Sequence, residues 1–151
     1  MANYIDDLRK LIGSRPIIYT GVTVIILNEK NEILLQQNAS TGEWGTIGGA
    51  LELGESFEEA AERELVEETG LTVHDLKFIT LLSGKDFYYK YPNGDEVYYV
   101  TAVFESNKAT GQAIADNHEI TKLRYFNMNS PIRNLNPVSK NILHWSGYYP
   151  K

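Results

Sequence analysis

The chain has 151 residues and a formal net charge of −6, with 42% hydrophobic and 23% charged residues, values typical of a soluble globular domain with a buried core. It contains no cysteine, which excludes disulfides and thiolate chemistry. The charge outside one short acidic segment is nearly balanced, and no basic stripe indicates a surface for a nucleic-acid duplex.

The first third of the chain is predicted to form a short helix and two strands. Residues 3–12 carry apolar side chains at helical spacing and predict an amphipathic helix. Residues 17–27 are rich in β-branched side chains and predict a buried strand, and residues 32–37 predict a second strand after a polar turn. A polar loop over 38–45 and a glycine-rich, extended stretch over 46–53 then lead to the next helix.

The next helix has start and stop signals in the sequence. Ser56 and Glu59 have the spacing of a capping box, in which two side chains satisfy free N–H groups at a helix start. Gly70 stands where a glycine commonly ends a helix. A helix is therefore predicted from Ser56 to the residues before Gly70, and residues 71–82 are predicted to be mostly extended.

The last part of the chain is predicted to contain a β-hairpin, one further strand and a helix. Residues 87–91 and 96–104 predict two strands joined by Pro-Asn-Gly-Asp, a strong turn signal. Residues 123–126 predict another strand, and residues 137–145 a last helix. Because strands with few helices between them follow in mixed order, we expect an α/β fold with a mixed β-sheet flanked by helices.

The chain shows no internal boundary and no membrane signal. No repeat, low-complexity tract or linker divides it, so residues 1–151 are predicted to form a single domain. The amino-terminal residues lack the basic and apolar regions of a signal peptide, and no apolar run reaches the length of a membrane span. We therefore expect a cytoplasmic protein with no membrane partner.

The net negative charge of the chain comes from residues 52–68, where eight glutamates accompany one arginine and the segment carries −7, against −6 for the whole chain. On a helix, the carboxylates of Glu64, Glu67 and Glu68 lie near one another, because residues three and four apart share a face. Like charges at that spacing repel by roughly 0.2–0.5 kcal/mol per pair. A bound hard cation would turn this repulsion into attraction, and Mg²⁺ prefers carboxylate, water and phosphate oxygens.

Two interpretations of the acidic helix stay open from the residues alone. Acidic helices are usually solvated surfaces, and for Glu58, Glu59 and Glu62 that interpretation is preferred. For Glu64, Glu67 and Glu68, the spacing alone does not favour a metal site over a solvated surface. Glycines in the preceding loop favour the metal site because glycine permits close backbone approach, although a tight turn would also explain them. These glycines are Gly45, Gly48, Gly49 and Gly54.

The segment from Gly49 to Leu71 resembles the Nudix box. That box is a glycine, five residues, a glutamate, seven residues, Arg-Glu, an aliphatic residue, any residue, Glu-Glu, any residue, a glycine and an aliphatic residue. All its positions match here: Gly49, Glu55, Arg63, Glu64, Leu65, Glu67, Glu68, Gly70 and Leu71. The lead-in, residues 44–49, is similar to the usual Trp-x-x-Pro-Gly-Gly, with Ile47 where proline is common. The chain is identified as a member of the Nudix hydrolase family.

The resemblance implies a fold and an activity. The fold would be an α/β/α sandwich with a mixed β-sheet, and the box would bind Mg²⁺ or Mn²⁺. The activity would be cleavage, by metal-activated water, of the phosphoanhydride bond in a nucleoside diphosphate derivative such as a nucleotide, nucleotide sugar or dinucleoside polyphosphate. A catalytically weak nucleotide or metabolite sensor is the alternative, although such modules often have an eroded box. An acidic structural helix without metal is a third interpretation.

The resemblance also implies the metal ligands. By similarity, Glu64, Glu67 and Glu68 would hold the metal. The backbone carbonyl of Gly48 or Gly49 often adds a ligand in such sites, and Gly49 is taken here.

Further site residues are implied around these ligands. Glu55 and Arg63 resemble a pair that orients the helix and its carboxylates, and an ordinary surface ion pair is the alternative. The general base would be a box glutamate, such as Glu64 or Glu67, or a carboxylate from elsewhere. Glu119, in the loop before the strand at 123–126, is the best candidate outside the box, with an exposed loop acid as its alternative.

The substrate is less well indicated. Five tyrosines crowd the predicted hairpin, and one or two could stack on a nucleobase, although packing is preferred for each singly. They are Tyr88, Tyr89, Tyr91, Tyr98 and Tyr99. In the Nudix family a proline soon after the box often accompanies ADP-ribose hydrolysis. No proline lies between Leu71 and Pro92 here, so that activity loses support. We expect a small nucleotide-type substrate and no specific nucleic acid, and family members often form homodimers, although no residue pattern here indicates one.

Overall fold

The computed structural model describes residues 3–115 and 120–149. In this part of the chain there are eight strands and three α-helices, with a short 3-10 turn at Lys85–Phe87. The strands are β1 (Ile17–Ile26), β2 (Ile33–Asn38), β3 (Trp44–Gly45), β4 (Ile47–Ala50), β5 (Lys77–Leu82), β6 (Tyr88–Lys90), β7 (Glu96–Ser106) and β8 (Ile120–Phe126). The helices are α1 (Tyr4–Ile12), α2 (Phe57–Thr69) and α3 (Pro137–Trp145). None of these helices is long and apolar enough to cross a membrane.

The strands form two sheets. The larger has five strands in the order β4-β1-β7-β5, with β6 also paired to β7. In it, β1 runs parallel to β7 from Ile17 beside Val97 to Ile26 beside Ser106, whereas the other pairs are antiparallel. The smaller sheet, β3-β2-β8, is antiparallel. This mixed sheet with helices confirms the predicted α/β class, and the strands divide between two sheets.

The second half of β1, residues 21–26, is buried on both faces, which explains its run of β-branched residues. Neighbouring residues on a strand point to opposite faces. Val24 belongs to a core cluster with Leu65 of α2, and Ile25 belongs to a second cluster with Val103 of β7 and Leu143 of α3. The two clusters therefore place the five-stranded sheet between α2 on one face and α3 on the other.

Most predicted element boundaries agree with the structure to within a few residues, and α3 coincides with the predicted range of 137–145. The strand β5 begins only at Lys77. Among the described residues, those before it form no ladder of paired residues, and Thr72 makes an isolated bridge to Thr110. The strand β8 begins at Ile120, earlier than predicted. The short strand β3 lies within the predicted polar loop.

Candidate active site

Helix α2 has both of its ends capped. At its start the Ser56 hydroxyl accepts a hydrogen bond from the Glu59 N–H at 3.1 Å, and the Glu59 carboxylate accepts one from the Ser56 N–H at 2.9 Å, which confirms the predicted capping box. At its end Gly70 has a left-handed backbone, with φ 75°, and its N–H donates to the Val66 carbonyl. Leu65 is fully buried in the core, which fixes the rotation of the helix about its axis.

The glutamates of α2 divide into two groups. Glu58, Glu59 and Glu62 are exposed, as predicted for a solvated helix surface. Glu64 and Glu68 instead lie against β4, and the side chain of Glu64 keeps only 14% of its surface exposed. The helix therefore directs a small number of its carboxylates toward the neighbouring strand.

Glu68 is fixed by two hydrogen bonds from outside its own helix. Gln36 Nε2 on β2 donates to Glu68 Oε1 at 2.7 Å, and the Gly48 N–H on β4 donates to Glu68 Oε2 at 3.0 Å. Burial, followed by the charge of Glu64, raises the pKa of Glu68 well above its ordinary value. Burial also raises the pKa of Glu64. Two desolvated carboxylates this close are unfavourable as anions unless a positive charge joins them.

Arg63 contacts three glutamates of the Nudix box, Glu55, Glu64 and Glu67. Its Nε and Nη2 donate to the two carboxylate oxygens of Glu55 at 2.7 and 2.8 Å, a bidentate pair. Its Nη1 donates to Glu64 at 2.7 Å and to Glu67 at 3.2 Å, and its Nη2 also donates to the Ala50 carbonyl at 3.0 Å. The hydrogen bonds from Arg63 lower the pKa of Glu55. One guanidinium thus ties α2 to the loop and strand that precede it.

The glycines beside α2 are required by close backbone approach. A Cβ atom at Gly49 would lie 2.5 Å from the carboxylate carbon of Glu64. A Cβ at Gly48 would lie 2.0 Å from the carbonyl oxygen of Val22, and one at Gly21 would lie 2.2 Å from that of Gly49. At Gly48 and Gly21 a side chain would collide with backbone atoms, so β1 and β4 can pack this closely only with glycine there, and at Gly49 a side chain would have to displace the Glu64 carboxylate.

The donor set fits Mg²⁺ or Mn²⁺, since both metals favour carboxylate and carbonyl oxygens. A cation beside Glu64 and Glu68 would relieve the unfavourable closeness of their carboxylates. The described residues contain no group of three or more His, Asp or Glu already arranged as a cation site. Arg63 contacts one oxygen of Glu64 and one of Glu67 in this structure, so a metal would bind through the second oxygen of each carboxylate or after exchange of these contacts. We call Glu64, Glu67 and Glu68 the carboxylate cluster.

Two cavities meet at the carboxylate cluster. The first, of about 510 Å³, lies between β1, β7, the loop before β3, the β6–β7 hairpin and α3, and we call it the aromatic cavity. The second, of about 750 Å³, is lined by Glu64, Glu67 and Arg63 and by α1, and we call it the acidic cavity. Glu68 and Tyr19 line both cavities. A ligand can therefore lie against the carboxylates with one end and enter the aromatic cavity with the other.

The tyrosines of the predicted hairpin separate into two groups. Tyr89, Tyr91 and Tyr99 line the aromatic cavity, and the hydroxyls of Tyr91 and Tyr99 are hydrogen-bonded to each other. Tyr88 and Tyr98 line neither cavity and pack on each other with ring centroids 5.2 Å apart. The strand alternation that predicted both packing and site tyrosines is consistent with this division.

Comparison with known proteins identifies the family. A family model described as NUDIX domain matches residues 19–146. The chain belongs to the Nudix hydrolase family. A putative 8-oxo-dGTP diphosphatase of Bacillus subtilis is 37% identical over 109 residues, which cover 72% of this chain and 66% of that protein. The NAD-capped RNA hydrolase NudC of Actinobacillus succinogenes is 28% identical over 128 residues, which cover 81% of this chain and 45% of that protein. The chain spans less than two thirds of the length of either relative.

Solved structures show the same fold. The MutT NUDIX hydrolase of Burkholderia pseudomallei superposes with a TM-score of 0.71 at 22% identity, over 86% of this chain and 97% of that one. The MutT protein of Methanosarcina mazei Go1 gives a TM-score of 0.71 at 19% identity, over 87% and 94%. These likenesses confirm the predicted Nudix-type α/β/α sandwich with a mixed sheet.

The Nudix box residues predicted for the site come together around α2. Glu55, Arg63, Glu64 and Glu67 form one network of ion pairs and hydrogen bonds. Glu68 and Gly49 lie on the strand side of the same cluster, each close to Glu64 or to β4. Glu119, the predicted candidate outside the box, lies outside the described residues.

Three residues that lie beside the carboxylate cluster or in the aromatic cavity of this Nudix protein were not predicted from the sequence. Tyr19 and Gln36 lie beside the cluster, and Glu43 lies in the aromatic cavity. One signal was available for Tyr19, because Gly21 in the middle of an apolar strand indicates close backbone approach beside it. Gln36 and Glu43 carry no such signal, since only folding brings Gln36 to Glu68 of the Nudix helix and Glu43 to Tyr89 and Asn136.

Proposed function

We propose that this Nudix protein is a metal-dependent pyrophosphohydrolase that cleaves the phosphoanhydride bond of a nucleoside diphosphate derivative. The observation that carries the proposal is the position of Glu68. It lines the acidic cavity with the carboxylate cluster and also lines the aromatic cavity. A diphosphate beside the cluster would thus have its nucleoside end in a cavity large enough for a base and a sugar.

The proposed metal ligands are Glu64, Glu67 and Glu68, with the backbone carbonyl of Gly49. Bound Mg²⁺ or Mn²⁺ would offset the charge of the phosphates. It would also lower the pKa of a water molecule, so that the water can lose a proton and act as the nucleophile near neutral pH. The desolvated carboxylates of Glu64 and Glu68 support the proposal, because burial raises both pKa values and a bound cation would favour the ionised forms.

Arg63 and Glu55 are proposed to orient the cluster. Their bidentate pair and the bond from Arg63 to the Ala50 carbonyl hold α2 against the end of β4. The same guanidinium contacts Glu64 and Glu67, so it can stabilise whichever carboxylate oxygens are not bound to metal.

A carboxylate must also accept the proton of the attacking water. Within the described residues, Glu64 and Glu67 are the proposed candidates, because each has a carboxylate facing the acidic cavity. The side chain of Glu67 is 47% exposed, which leaves it able to reach water. A role for Glu119 as the base stays a prediction.

The relatives suggest substrate classes to test. The relative at 37% identity is named a putative 8-oxo-dGTP diphosphatase, which supports a nucleoside triphosphate, including oxidised purine forms. Several further relatives are named NAD-capped RNA hydrolases, so a dinucleotide or the capped 5′ end of an RNA is a second class. A homodimer stays an expectation from the family, and a cytoplasmic location stays a prediction from the sequence.

The alternative is a nucleotide sensor without turnover. The observation in its favour is that Arg63 engages two of the three carboxylates that the enzyme needs for metal. A sensor predicts that nucleotides raise the melting temperature without release of phosphate, pyrophosphate or nucleoside monophosphate. The enzyme predicts release of those products only when Mg²⁺ or Mn²⁺ is present.

The test is a hydrolysis assay over nucleoside triphosphates, nucleotide sugars, dinucleoside polyphosphates and NAD-capped RNA, with Mg²⁺ and with Mn²⁺. Glu68→Gln provides the inactive variant, and Glu62→Gln provides a matched control from the exposed face of the same helix. Metal-dependent hydrolysis by the wild type and by Glu62→Gln, but not by Glu68→Gln, supports the proposal. No hydrolysis of any compound with either metal would reject it in favour of the sensor.

A further inference from the structure

A carboxylate stands in the aromatic cavity, apart from the carboxylate cluster. Glu43, just before β3, lines the aromatic cavity but not the acidic one, whereas Glu64 and Glu67 line only the acidic cavity. A substrate with its phosphates at the cluster would therefore meet Glu43 with its other end. None of the proposed chemistry at the phosphates needs a carboxylate in this position.

The backbone around Glu43 is fixed by its neighbours. The Glu43 carbonyl accepts a hydrogen bond from the Asn38 N–H at 2.9 Å, and the Glu43 N–H donates to the Thr41 hydroxyl at 3.2 Å. Asn134 Nδ2 donates to the Gly42 carbonyl at 2.8 Å, which ties the loop to the segment before α3. The carboxylate of Glu43 is thus presented from an anchored loop.

The carboxylate itself is oriented through one of its two oxygens. Oε1 accepts hydrogen bonds from the Tyr89 hydroxyl at 3.2 Å and from Asn136 Nδ2 at 3.1 Å. Burial and the charge of Glu43 raise the pKa of Tyr89, so Tyr89 keeps the proton it donates. Within residues 3–115 and 120–149, no hydrogen bond reaches Oε2 of Glu43. One oxygen is used to hold the group, and the other is free to meet a ligand.

One polar neighbour of Glu43, Asn136, is already committed and cannot itself recognise a ligand. Asn136 Oδ1 accepts from the N–H groups of Val138 and Ser139 and caps α3, so it cannot turn toward a ligand without uncapping the helix. An ionised carboxylate only accepts hydrogen bonds. Glu43 therefore favours a ligand edge that carries N–H donors and disfavours one that carries carbonyl oxygens.

Among nucleobases, guanine places two donors side by side, the ring N1–H and the exocyclic amine, on an edge that one carboxylate can accept in bidentate form. Hypoxanthine keeps the ring N–H but lacks the amine. Uracil has a single N–H between two carbonyl oxygens, which a carboxylate repels. We propose that Glu43 is a specificity-determining residue that selects a guanine-type base by accepting hydrogen bonds from its N–H edge. The inference rests on the proposed function, because it assumes a nucleotide in the aromatic cavity.

The test compares binding and turnover of guanine, hypoxanthine and uracil nucleotides. Calorimetry with GMP, IMP and UMP measures binding without turnover, and GTP, ITP and UTP with Mg²⁺ measure kcat/KM. The wild type is expected to prefer guanine over uracil, with hypoxanthine between them. Glu43→Gln keeps the size of the side chain but exchanges an acceptor for a donor, so it should weaken guanine binding roughly 10- to 100-fold, the size of a hydrogen bond to a charged group. Uracil binding should be unchanged or improved.

Controls separate a specificity role from a structural one. Glu62→Gln, on the exposed face of α2, should leave all base preferences unchanged. If Glu43→Gln fails to fold, as judged by its melting temperature, the wild-type comparison still decides, because equal binding of GMP, IMP and UMP would overturn the inference. A folded Glu43→Gln variant with wild-type base preferences would overturn it as well.

The outcomes also separate this inference from the proposed function. Hydrolysis by the wild type with no dependence on Glu43 would leave the enzyme proposal standing and overturn the inference. Binding of GMP that depends on Glu43, without hydrolysis of any nucleotide, would support the inference and reject the enzyme. No binding of GMP, IMP or UMP would overturn the inference, whereas the enzyme proposal is decided by the hydrolysis assay over all substrate classes.

Discussion

The carboxylate cluster and the aromatic cavity meet at Glu68 but are built in different ways. The cluster comes from one helix and faces the strand before it. Glu64 and Glu67 pair with Arg63. Glu68 accepts hydrogen bonds from Gln36 and Gly48. The aromatic cavity takes its walls from β1, β7, the loop before β3, the hairpin and α3, and its contacts join tyrosines, asparagine and Glu43. The residues of the carboxylate cluster are close in the sequence, whereas those of the aromatic cavity are far apart in the sequence and are brought together by folding.

This difference separates the chemistry from the choice of substrate. A substitution in the carboxylate cluster should lower the turnover of every substrate by a similar factor, because all share the diphosphate. A substitution in the aromatic cavity should change the ratio between substrates, because it touches only the part in which they differ. Each of the following variants tests whether the two regions are separable in this sense.

The largest effect is expected from Glu68→Gln, at the junction of the two regions. The amide keeps the shape of the side chain but removes the charge that would hold the metal, so kcat/KM should fall about 10²- to 10⁴-fold for all substrates. Nucleotide binding without added metal should change little, since glutamine keeps the shape of the cavity wall that Glu68 forms. A fall for one substrate class only would show that the two regions are not separable.

Gly49→Ala should have the next largest effect. The new methyl group would lie 2.5 Å from the carboxylate carbon of Glu64 and must displace that carboxylate. A shift of about 1 Å in a catalytic group can cost about 100-fold in rate, so a loss of that order in kcat is expected. Steady-state kinetics across the Mg²⁺ range measure it, and full activity would show that the position of Glu64 is not critical.

Arg63→Lys should have an intermediate effect. Lysine keeps the charge but cannot make the bidentate pair with Glu55 while also contacting Glu64. We expect roughly a 10- to 100-fold loss of activity, as for residues that orient metal ligands, together with a higher Mg²⁺ requirement. If lysine restored wild-type metal affinity and rate, the orienting role would be excluded and a surface ion pair favoured.

Gln36→Leu should have the smallest effect of the four. It removes the hydrogen bond to Glu68 at 2.7 Å and leaves the one from Gly48, so Glu68 loses one of two anchors. About a tenfold loss of kcat/KM is expected, the lower end for such supporting residues. The melting temperature, measured beside it, should fall little, because Gln36 Oε1 is buried without a hydrogen-bond partner in the described residues. A large loss of stability with unchanged activity would contradict a supporting role.

The sequence predicted the cluster well because its signals are local. The spacing of the box, the Ser56–Glu59 capping box and Gly70 all act within one helix, and the structure contains each of them. The helix α3 was predicted with its bounds, and in the structure Pro137 is its first residue, after the capping Asn136.

The aromatic cavity was only partly predicted, because its residues are far apart in the chain. The tyrosine-rich hairpin was recognised, but the parallel pairing of β1 with β7 brings Tyr19 beside Tyr99, with ring centroids 4.8 Å apart. No periodicity within β1 indicates which distant strand it pairs with. The positions of Gln36 and Glu43 depend on the second, smaller sheet, which the sequence did not distinguish from the first.

The central claim, that the carboxylate cluster binds a divalent cation, is tested most directly by melting temperatures measured with and without Mg²⁺. At about 100 times the dissociation constant, Mg²⁺ should stabilise the wild type and Glu62→Gln by about 2.7 kcal/mol. That corresponds to an increase of roughly 5–11 °C for a domain of this size. Glu68→Gln should show a much smaller increase. Equal increases in the wild type and Glu68→Gln, or none in the wild type, would contradict the claim.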